Sequence, residues 1–224
     1  MPEPAEPAEP AEAAEKRLAA ESAALLVESG MAVGLGTGTT VAYLLPALAA
    51  RQLDLVCVAT SDATETEGRH LGLAIQRFDR LDRLDIAIDG ADQVGRDFWL
   101  VKGGGGAHAR EKIVAAAADR FVVIVSSDKL VEVVTGPVPL ELSGFGLAAT
   151  VRALGSIGEC RLRTAPPTPD GGVLADLHTE IGDVVELARR LGSTPGVVAH
   201  GLFPPVMVHE VLVGRAGAVE RLRP

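Results

Sequence analysis

The stretch VKGGGGAHAREK, residues 101–112, decides the fold, because four consecutive glycines separate a lysine from a helix-forming run. Glycine loses more conformational freedom on folding than any other residue, so four in succession indicate a specific need. One such need is close approach of the backbone to a ligand, with N–H groups that no side chain obstructs. A flexible linker is the competing interpretation, but linkers are not usually flanked by a strand and an alanine-rich helix. The stretch therefore predicts a strand, a ligand-binding loop and a helix.

Two charged residues flank this loop. Lys102 places a cation at its edge, and Glu111 lies about one turn into the predicted helix. Ala107 and Ala115 lie near the same helix face, so nothing bulky nearby in the sequence screens the carboxylate. The competing interpretation is that Glu111 only pairs with Lys112 or another helix neighbour on the surface.

The composition limits the class of protein. With 224 residues, 47% of them hydrophobic and 3% aromatic, the chain suits one domain or a larger domain with a small companion. The net charge of -9 without a basic cluster argues against a nucleic-acid groove, although local cations can still bind an anionic substrate. No apolar run approaches a membrane span, and the acidic start does not resemble a signal peptide. Cys57 and Cys160 form no CxxC pair, which predicts reduced, buried thiols in a cytoplasmic protein.

A second glycine-containing loop, GTGTT at residues 36–40, follows a predicted strand at 31–35 and precedes a predicted helix at 41–50. This layout holds a phosphate at a helix N-terminus, and the threonine hydroxyls add donors. The loop lacks both the GxGxxG fingerprint and a Walker sequence, which disfavours a nicotinamide enzyme. Alone, it is equally compatible with a plain turn that a threonine caps.

Three more predicted strands, at 53–59, 84–88 and 121–125, also end in polar motifs. They lead to Ser61, to Asp89-Gly90-Ala91-Asp92 and to Lys129, respectively. Ser61 has a capping-box pattern, the aspartates suit an Asx turn, and a lone lysine is ordinarily a solvated surface residue. However, Asp89 stands where a buried strand ends, which favours a working carboxylate.

The alternation of strands and helices predicts a largely parallel, Rossmann-like sheet. Ligands of such sheets lie beyond the carboxyl ends of the strands. Five polar or charged residues fall just after a predicted strand, namely Thr37, Ser61, Asp89, Lys102 and Lys129. Chance turns do not readily explain five such residues at one edge, so we expect a binding site there.

The N-terminal segments have two distinct patterns. Residues 1–12 repeat Pro, Ala and Glu, which predicts a disordered tail. A helix is expected at 13–29, ended by Gly30. The side chains expected to face inward are Leu18, Leu25, Leu26 and Val27.

The C-terminal part has a different pattern of predicted strands and helices. Residues 137–206 follow a β-α-β-β-α-β order, which is typical of a small ferredoxin-like α+β domain. A strand at 207–213 then returns to the first sheet. We therefore predict a Rossmann-like catalytic domain at 13–136 plus 207–224, and a smaller domain at 137–206.

Five motifs appear in the order and spacing of the type A ribose-5-phosphate isomerases. They are GTGTT at 36–40, TSD at 60–62, DGAD at 89–92, KGGGG with REK at 102–106 and 110–112, and SDKL at 127–130. Three further segments of this chain resemble the second domain of that family, namely PVPLE at 137–141, PGVV at 195–198 and GLF at 201–203. The resemblance covers the chain from about residue 13 to its end.

The resemblance implies interconversion of D-ribose 5-phosphate and D-ribulose 5-phosphate through an enediol(ate), in the non-oxidative pentose phosphate pathway of the cytoplasm. It implies no metal and no cofactor, and His178 and His200 lack the spacing of metal ligands. The implied partners are a small sugar phosphate and further copies of the chain, in a dimer or sometimes a tetramer, without nucleic acid or membrane. The segment 137–206 is the expected oligomerisation unit.

The resemblance also implies roles in the reaction. Glu111 is the base that moves a proton between C1 and C2, Asp89 and Asp92 lie at the sugar hydroxyls, and Lys102 lies beside the reacting oxygens. Proton transfer next to a carbonyl needs a carboxylate base and a positive or N–H-rich site for the enediolate oxygen, which these residue types supply.

The phosphate is assigned to Thr37 through Thr40 and Lys129, with Lys16 as a further contributor. A phosphate remote from the reaction provides binding energy that orients the sugar. The implied substrate contacts are Thr37, Gly38, Thr39, Thr40, Asp89, Gly90, Ala91, Asp92, Lys102, Gly103, Gly104, Gly105 and Lys129.

Two residues and one loop depart from the family pattern. Gln93 replaces a glutamate, and we expect it to change only contacts behind the substrate. His108 stands where apolar residues are commoner, one turn before Glu111, and we expect an innocuous helix residue rather than a group that tunes the base. Residues 204–207 form a less polar loop than in the family.

Two other functions compete with this interpretation. One is another sugar-phosphate isomerase or deaminase on a similar sheet. The other is a sugar-phosphate-sensing module, such as the effector domain of a repressor. Such a sensor needs a DNA-binding helix-turn-helix, for which the N-terminal tail has neither the length nor the basic charge. It would also not need Glu111.

Overall fold

The computed structural model of the chain describes residues 10–224. Within this range the α-helices are α1 (Ala11–Ala24), α2 (Val41–Ala49), α3 (Asp62–His70), α4 (His108–Ala117), α5 (Leu147–Leu154) and α6 (Val184–Ser193). The first strands are β1 (Ala32–Leu35), β2 (Val56–Ala59), β3 (Ile75–Gln76), β4 (Ile86–Asp89), β5 (Gln93–Gly95), β6 (Leu100–Val101), β7 (Phe121–Ser126) and β8 (Leu130–Val131). The later strands are β9 (Val138–Leu142), β10 (Glu159–Leu162), β11 (Val173–His178), β12 (Val197–His200), β13 (Leu202–Phe203), β14 (Glu210–Arg215) and β15 (Ala218–Leu222).

Seven strands form the central sheet, in the order β15-β14-β7-β4-β1-β2-β3. All neighbouring strands are parallel except β14 and β15, which form an antiparallel pair at one edge. The predicted Rossmann-like, mostly parallel sheet is confirmed. The strand predicted at 207–213 is β14, which starts at Glu210 and pairs with both β7 and β15.

Helices cover both faces of this sheet, as the alternation of its side chains requires. Ile86 and Ile88 of β4 belong to a core shared with α1 and α2, whereas Ala87 between them belongs to a second core shared with α4. With both faces buried, polar ligand-binding groups are left to the loops at the strand ends.

Helix α1 differs from its prediction. It begins at Ala11, inside the segment predicted to be a disordered tail, and residues 1–9 of that tail lie outside the described residues. Leu25, expected to face inward, is 71% exposed. Val27, just after the helix, is buried as expected, but the buried face of α1 itself consists of Ala19, Ala20, Ala23 and Ala24. Small side chains let the helix lie close to β14, where an added Cβ at Gly214 would come within 1.9 Å of the Glu15 carbonyl oxygen.

The second sheet is antiparallel, with the strand order β10-β11-β9-β12. Together with α5 and α6 it gives the β-α-β-β-α-β succession predicted for a ferredoxin-like fold. Leu140, Leu177 and Leu191 are fully buried in its core. Helix α4 contacts β4 of the central sheet and β9 and β12 of the antiparallel sheet, so it lies between the two.

A third sheet, in the order β13-β6-β5-β8, is not predicted by the sequence. Its strands have two or three residues, too few for a hydrophobic period to be visible. The strands nevertheless fix the start of the glycine loop, because the Lys102 N–H donates to the Gly201 carbonyl at 2.8 Å.

Both cysteines are free. Cys57 is buried, and burial raises the pKa of its thiol to about 11. Cys160 is only partly buried because β10 is an edge strand, so the prediction of two buried thiols was wrong for Cys160. Among residues 10–224, no helix is long and apolar enough to cross a membrane.

Candidate active site

A cavity of about 110 Å³ lies beyond the carboxyl ends of β1 and β4. Its lining residues are Lys16, Thr37, Gly38, Thr39, Thr40, Gly90, Ala91, Asp92, Lys102, Gly103, Gly104, Gly105, Glu111 and Lys129. Every residue singled out for the substrate therefore lines one cavity, except Asp89. Asp89 lies behind Lys102, in contact with its ammonium group.

Lys102, Asp89 and Glu111 form a buried ionic cluster. The Nζ of Lys102 lies 3.0 Å from Asp89 Oδ2 and 3.3 Å from Glu111 Oε2, and no side chain of the three is more than 4% exposed. Nζ also donates to the carbonyl oxygen of Gly90. Three elements bring these groups together, since Asp89 ends β4, Lys102 follows β6 and Glu111 lies in the first turn of α4.

Burial shapes the acid–base behaviour of this cluster. Burial and repulsion from Asp89 raise the pKa of Glu111 to about 8, although Lys102 acts in the opposite direction. Burial also raises the pKa of Asp89, and attraction to Lys102 offsets part of this rise. Burial would lower the pKa of Lys102, but the carboxylates of Asp89 and Glu111 outweigh it and raise that pKa. Lys102 is therefore cationic, and Glu111 can gain and lose a proton near neutral pH.

Asp89 is oriented by the backbone. Its Oδ1 accepts hydrogen bonds from the N–H groups of Gly90 at 2.7 Å and Thr37 at 3.2 Å. Gly36 makes room for it, because an added Cβ there would come within 1.9 Å of Oδ1. Asp89 thus joins the loops after β1 and β4 and directs its second oxygen towards Lys102.

The glycine loop depends on its lack of side chains. Gly103 and Gly106 have φ values of +102° and +78°, which strongly favour glycine. An added Cβ at Gly103 would also come within 2.6 Å of the His108 Nδ1 atom. The Gly104 N–H donates to Asp92 Oδ2 at 2.8 Å, so the second aspartate is tied to the loop.

A second group of lining residues suits an anion. The loop Thr37–Thr40 immediately precedes α2, and Lys16 and Lys129 add side chains that are 14% and 31% exposed. Each lysine also forms a 2.6 Å ion pair with a neighbouring carboxylate. Thr40 makes no side-chain capping bond to α2, so the simple capping alternative was wrong for it. Hydroxyls, cations and a helix N-terminus together form an environment that is chemically suited to a phosphate.

Ser61 follows a strand as predicted but does not line the cavity. It caps α3, because its Oγ accepts the Thr64 N–H at 3.2 Å. The same Oγ lies 2.9 Å from Thr37 Oγ1. Ser61 therefore supports the Gly/Thr loop from behind.

Comparison with known proteins places these motifs in a family. Residues 56–217, more than half of the chain, match the sequence model of Ribose 5-phosphate isomerase A (phosphoriboisomerase A). The chain belongs to the ribose 5-phosphate isomerase A family. A Roseiflexus castenholzii protein named ribose-5-phosphate isomerase A is 43% identical over 219 residues, which cover 92% of this chain and 94% of that protein.

Solved structures of the family have the same fold. Ribose 5-phosphate isomerase A from Methanocaldococcus jannaschii aligns with a TM-score of 0.88 and 34% identity, over 93% of this chain and 98% of its own. A D-ribose-5-phosphate isomerase in complex with phospho-erythronic acid aligns with a TM-score of 0.88 and 31% identity, over 93% and 97%. The resemblance read from the motifs is therefore confirmed.

The departures from the family pattern have distinct surroundings. Gln93 donates from Nε2 to the Thr135 carbonyl at 3.1 Å and accepts the Thr135 N–H at 2.7 Å, outside the cavity lining. His108 is fully buried against Gly103. Burial, assisted by Lys112, lowers the pKa of His108 to about 3, so the ring is neutral.

Lys112 does not pair with Glu111, so that surface alternative was wrong. Its Nζ donates to the carbonyl oxygens of His200 at 2.6 Å and Leu202 at 2.9 Å, and it lies 4.7 Å from the Phe203 ring centre. Successive residues of a helix point in directions about 100° apart, which sends Lys112 towards β12 and β13 while Glu111 faces the cavity.

One contact of the glycine loop is not predicted by the sequence. Arg163, just after β10, donates from Nη1 to the carbonyl oxygens of Gly103 and Gly104. About 60 residues separate these partners, and no local pattern around Arg163 marks it for this contact.

Proposed function

We propose that this chain interconverts D-ribose 5-phosphate and D-ribulose 5-phosphate. The observation that carries the proposal is the placement of Glu111 and Lys102, 3.3 Å apart, on the same cavity as a Gly/Thr loop suited to phosphate. Two relatives support the assignment of ribose 5-phosphate as the substrate. The Roseiflexus castenholzii protein is named for this reaction, and a related solved structure holds phospho-erythronic acid.

In the proposed reaction, Glu111 takes the proton from C2 of the aldose and returns it to C1. The electron pair left at C2 forms the enediolate, whose C1 oxygen carries the negative charge. This oxygen gains the proton that the O2 hydroxyl loses, and the C2 carbonyl forms as Glu111 delivers its proton to C1. A pKa near 8 suits this exchange, because the same carboxylate must both accept and release the proton.

Lys102 and the glycine N–H groups would stabilise the enediolate. The ammonium is buried and its positive charge is maintained by Asp89, so it acts in a weakly screened environment. Asp89 thus positions Lys102, whereas Asp92, which reaches the cavity surface, is the better placed aspartate for the sugar hydroxyls.

Thr37–Thr40, Lys129 and Lys16 are proposed to bind the phosphate. Their contacts are made equally with aldose, enediolate and ketose, so they contribute to binding and orientation.

We propose that no metal takes part. Lys102 provides the positive charge that a metal ion would otherwise provide. Within residues 10–224, no group of three or more His, Cys, Asp or Glu side chains is arranged to hold a metal ion.

The deciding experiment is incubation of the purified chain with ribose 5-phosphate in EDTA, with ketose formation measured. We expect full turnover. Activity that vanished in EDTA and returned with a divalent ion would refute metal independence. Saturable binding of ribose 5-phosphate without turnover would favour a sensing module, and turnover of only a different aldose phosphate would favour another isomerase.

We also infer that the chain acts as a homo-oligomer, a dimer or a tetramer, through the unit 137–206. Four apolar side chains of that unit are more than half exposed, namely Phe145 (94%), Val185 (61%), Val198 (57%) and Val206 (87%). Sedimentation equilibrium should give a mass of at least two chains, and Phe145→Ser should weaken the assembly. The two free cysteines support a reducing compartment, which we infer to be the cytoplasm.

A further inference from the structure

Arg163 connects the antiparallel sheet to the glycine loop. Its Nη1 donates to the carbonyl oxygens of Gly103 and Gly104, both at 3.0 Å. Its Nε and Nη2 form a two-point ion pair with Asp176 of β11, at 2.8 and 2.7 Å. The side chain is only 19% exposed, and it does not line the cavity. Arg163 therefore contacts the loop from outside the site, with its own position fixed by Asp176.

These two carbonyl contacts also fix the directions of two N–H groups. In a trans peptide unit the C=O and N–H bonds point in opposite directions. The Gly103 carbonyl shares its unit with the Gly104 N–H, which donates to Asp92 at 2.8 Å. The Gly104 carbonyl shares its unit with the N–H of Gly105, a residue of the cavity lining. With both carbonyls held by Arg163, both N–H groups point to the opposite side of the loop.

A hydrogen bond inside the loop, from the Gly106 N–H to the Gly103 carbonyl at 3.0 Å, closes a turn but leaves the Gly104 carbonyl to Arg163. Four successive glycines have a large range of accessible backbone angles, and Gly103 and Gly106 occupy the left-handed region. A guanidinium stays ionised, and its hydrogen bonds to carbonyl oxygens are strengthened by the charge. The same bonds polarise each peptide unit, which strengthens its N–H as a donor.

We propose that Arg163 is a positioning residue of the isomerase, which holds the glycine loop so that its N–H groups face Asp92 and the reacting oxygens. The inference rests on the proposed function, because it assigns the loop to the enediolate. Arg163 acts through the loop and touches no substrate atom. Its loss should therefore lower kcat, while phosphate binding at Thr37–Thr40 and Lys129 is retained.

The test compares Arg163→Met and Arg163→Lys with a matched control, Arg161→Met. Arg161 lies two residues earlier, is 59% exposed and pairs only with Glu159 among the described residues, at 2.6 Å. We expect kcat to fall about 10- to 100-fold in Arg163→Met, the range for a small misplacement of reacting groups. The KM for ribose 5-phosphate and the inhibition constant of inorganic phosphate should stay within about threefold. Arg163→Lys should recover part of kcat, because it keeps the charge but not the two-point pair.

A merely structural role predicts a different result. Thermal unfolding would occur at a lower temperature, and kcat per folded molecule would stay within about threefold of the wild type, which would overturn the proposal. If Arg163→Met does not fold, Asp176→Asn decides, because it leaves Arg163 in place but weakens its anchor. A fall of kcat at constant phosphate inhibition would support the proposal, and an unchanged kcat would overturn it. Turnover by the wild type and by Arg161→Met tests the proposed function separately from the role of Arg163. If the chain were not an isomerase, both of those proteins would be inactive too.

Discussion

Glu111 Oε2 lies 3.3 Å from the Nζ of Lys102 yet accepts no hydrogen bond within the described part of the chain. The ammonium instead donates to the Gly90 carbonyl and lies closer to Asp89, at 3.0 Å. Glu111 thus has a cation nearby and unused lone pairs. A carboxylate that is not tied to a strong donor is free to take a proton from carbon.

The mechanism depends most directly on this residue, so Glu111→Gln is the first prediction. Glutamine keeps the size of the side chain but cannot accept the proton. A positioned acid–base group contributes roughly 10²–10⁴-fold, so kcat should fall by at least that factor. Binding of ribose 5-phosphate should persist, because the proposed phosphate contacts at Thr37–Thr40 and Lys129 are unchanged. Steady-state kinetics and exchange of the C2 hydrogen in heavy water should show parallel losses.

Glu67→Gln is the matched control for this variant. Glu67 is an exposed glutamate of α3, away from the cavity lining, and its loss should leave kcat unchanged. A folded Glu111→Gln protein that retained most of its kcat would remove Glu111 as the base and make Asp89 the candidate.

The pH dependence of kcat/KM provides a second prediction. The pKa of Glu111 is raised to about 8, and the base must be ionised to act. The rate constant kcat/KM should therefore rise about tenfold per pH unit from pH 6.5 and level off above about pH 8. Lys112 has a pKa lowered by burial to about 8 and titrates in the same range. The rise should persist in Lys112→Met and disappear from the residual activity of Glu111→Gln.

A flat profile of kcat/KM between pH 6.5 and 9 would show that Glu111 is already ionised at pH 6.5. The effect of Lys102 on its pKa would then outweigh the effect of burial.

Most of the cavity was predictable because its residues directly follow strands of a parallel sheet. Thr37, Ser61, Asp89, Lys102 and Lys129 could be placed at one edge from local pattern alone, and of these Thr37, Lys102 and Lys129 line the cavity. The local pattern also singled out Glu111, and the family resemblance gave its role as the base. Arg163 could not be predicted, because its contact with Gly103 depends on how two sheets are placed relative to each other. Long-range placement of this kind leaves no periodic signal in the sequence.

The long strands of the fold were predictable from the sequence, whereas the helix packing and the shortest strands were not. The central strands are continuous apolar runs, which identify buried parallel strands. Leu25 was assigned to the wrong face, because close approach of α1 to β14 selects alanines rather than leucines. The two-residue strands β6, β8 and β13 are stabilised by their partners in the folded chain and have no propensity signal of their own.

Removal of the buried cation provides a third prediction. Lys102→Met leaves Asp89 and Glu111 without a counter-charge, so the pKa of Glu111 should rise further. Removing one partner from a buried ion pair typically costs about 3–5 kcal/mol of stability. We expect a lower unfolding temperature and a fall in kcat of roughly 10²–10³-fold from lost charge stabilisation. Calorimetry and kinetics on the folded fraction separate these effects, and a normal kcat would exclude Lys102 from the enediolate site.

The Gly/Thr loop is tested by Thr40→Val, which removes a hydroxyl while it keeps the shape of the side chain. Thr40 is 8% exposed, lines the cavity and makes no capping bond. The KM for ribose 5-phosphate should rise more than kcat falls, because a phosphate contact is common to ground and transition states. Thr66→Val is the control, since Thr66 lies on the exposed side of α3, where its Oγ1 donates to the Asp62 carbonyl at 2.7 Å. An unchanged KM in folded Thr40→Val would remove Thr40 from the phosphate site.

The last prediction concerns the pH dependence of stability, and its direction follows from the raised pKa of Glu111. Glu111 has a pKa raised from its usual 4.5 to about 8, so the folded chain holds this proton more tightly than the unfolded chain. The stability that Glu111 contributes is present below pH 4.5 and is lost as the pH rises through 8. Glutamine stays neutral throughout. The unfolding temperature of Glu111→Gln minus that of the wild type should therefore increase between pH 5 and pH 9, whereas the same difference for Glu67→Gln should stay constant.

A difference for Glu111→Gln that stayed constant would mean that Glu111 is ionised in the folded chain at pH 5, with Lys102 as its permanent partner. The raised pKa, and the reversible proton transfer proposed from it, would then have to be abandoned.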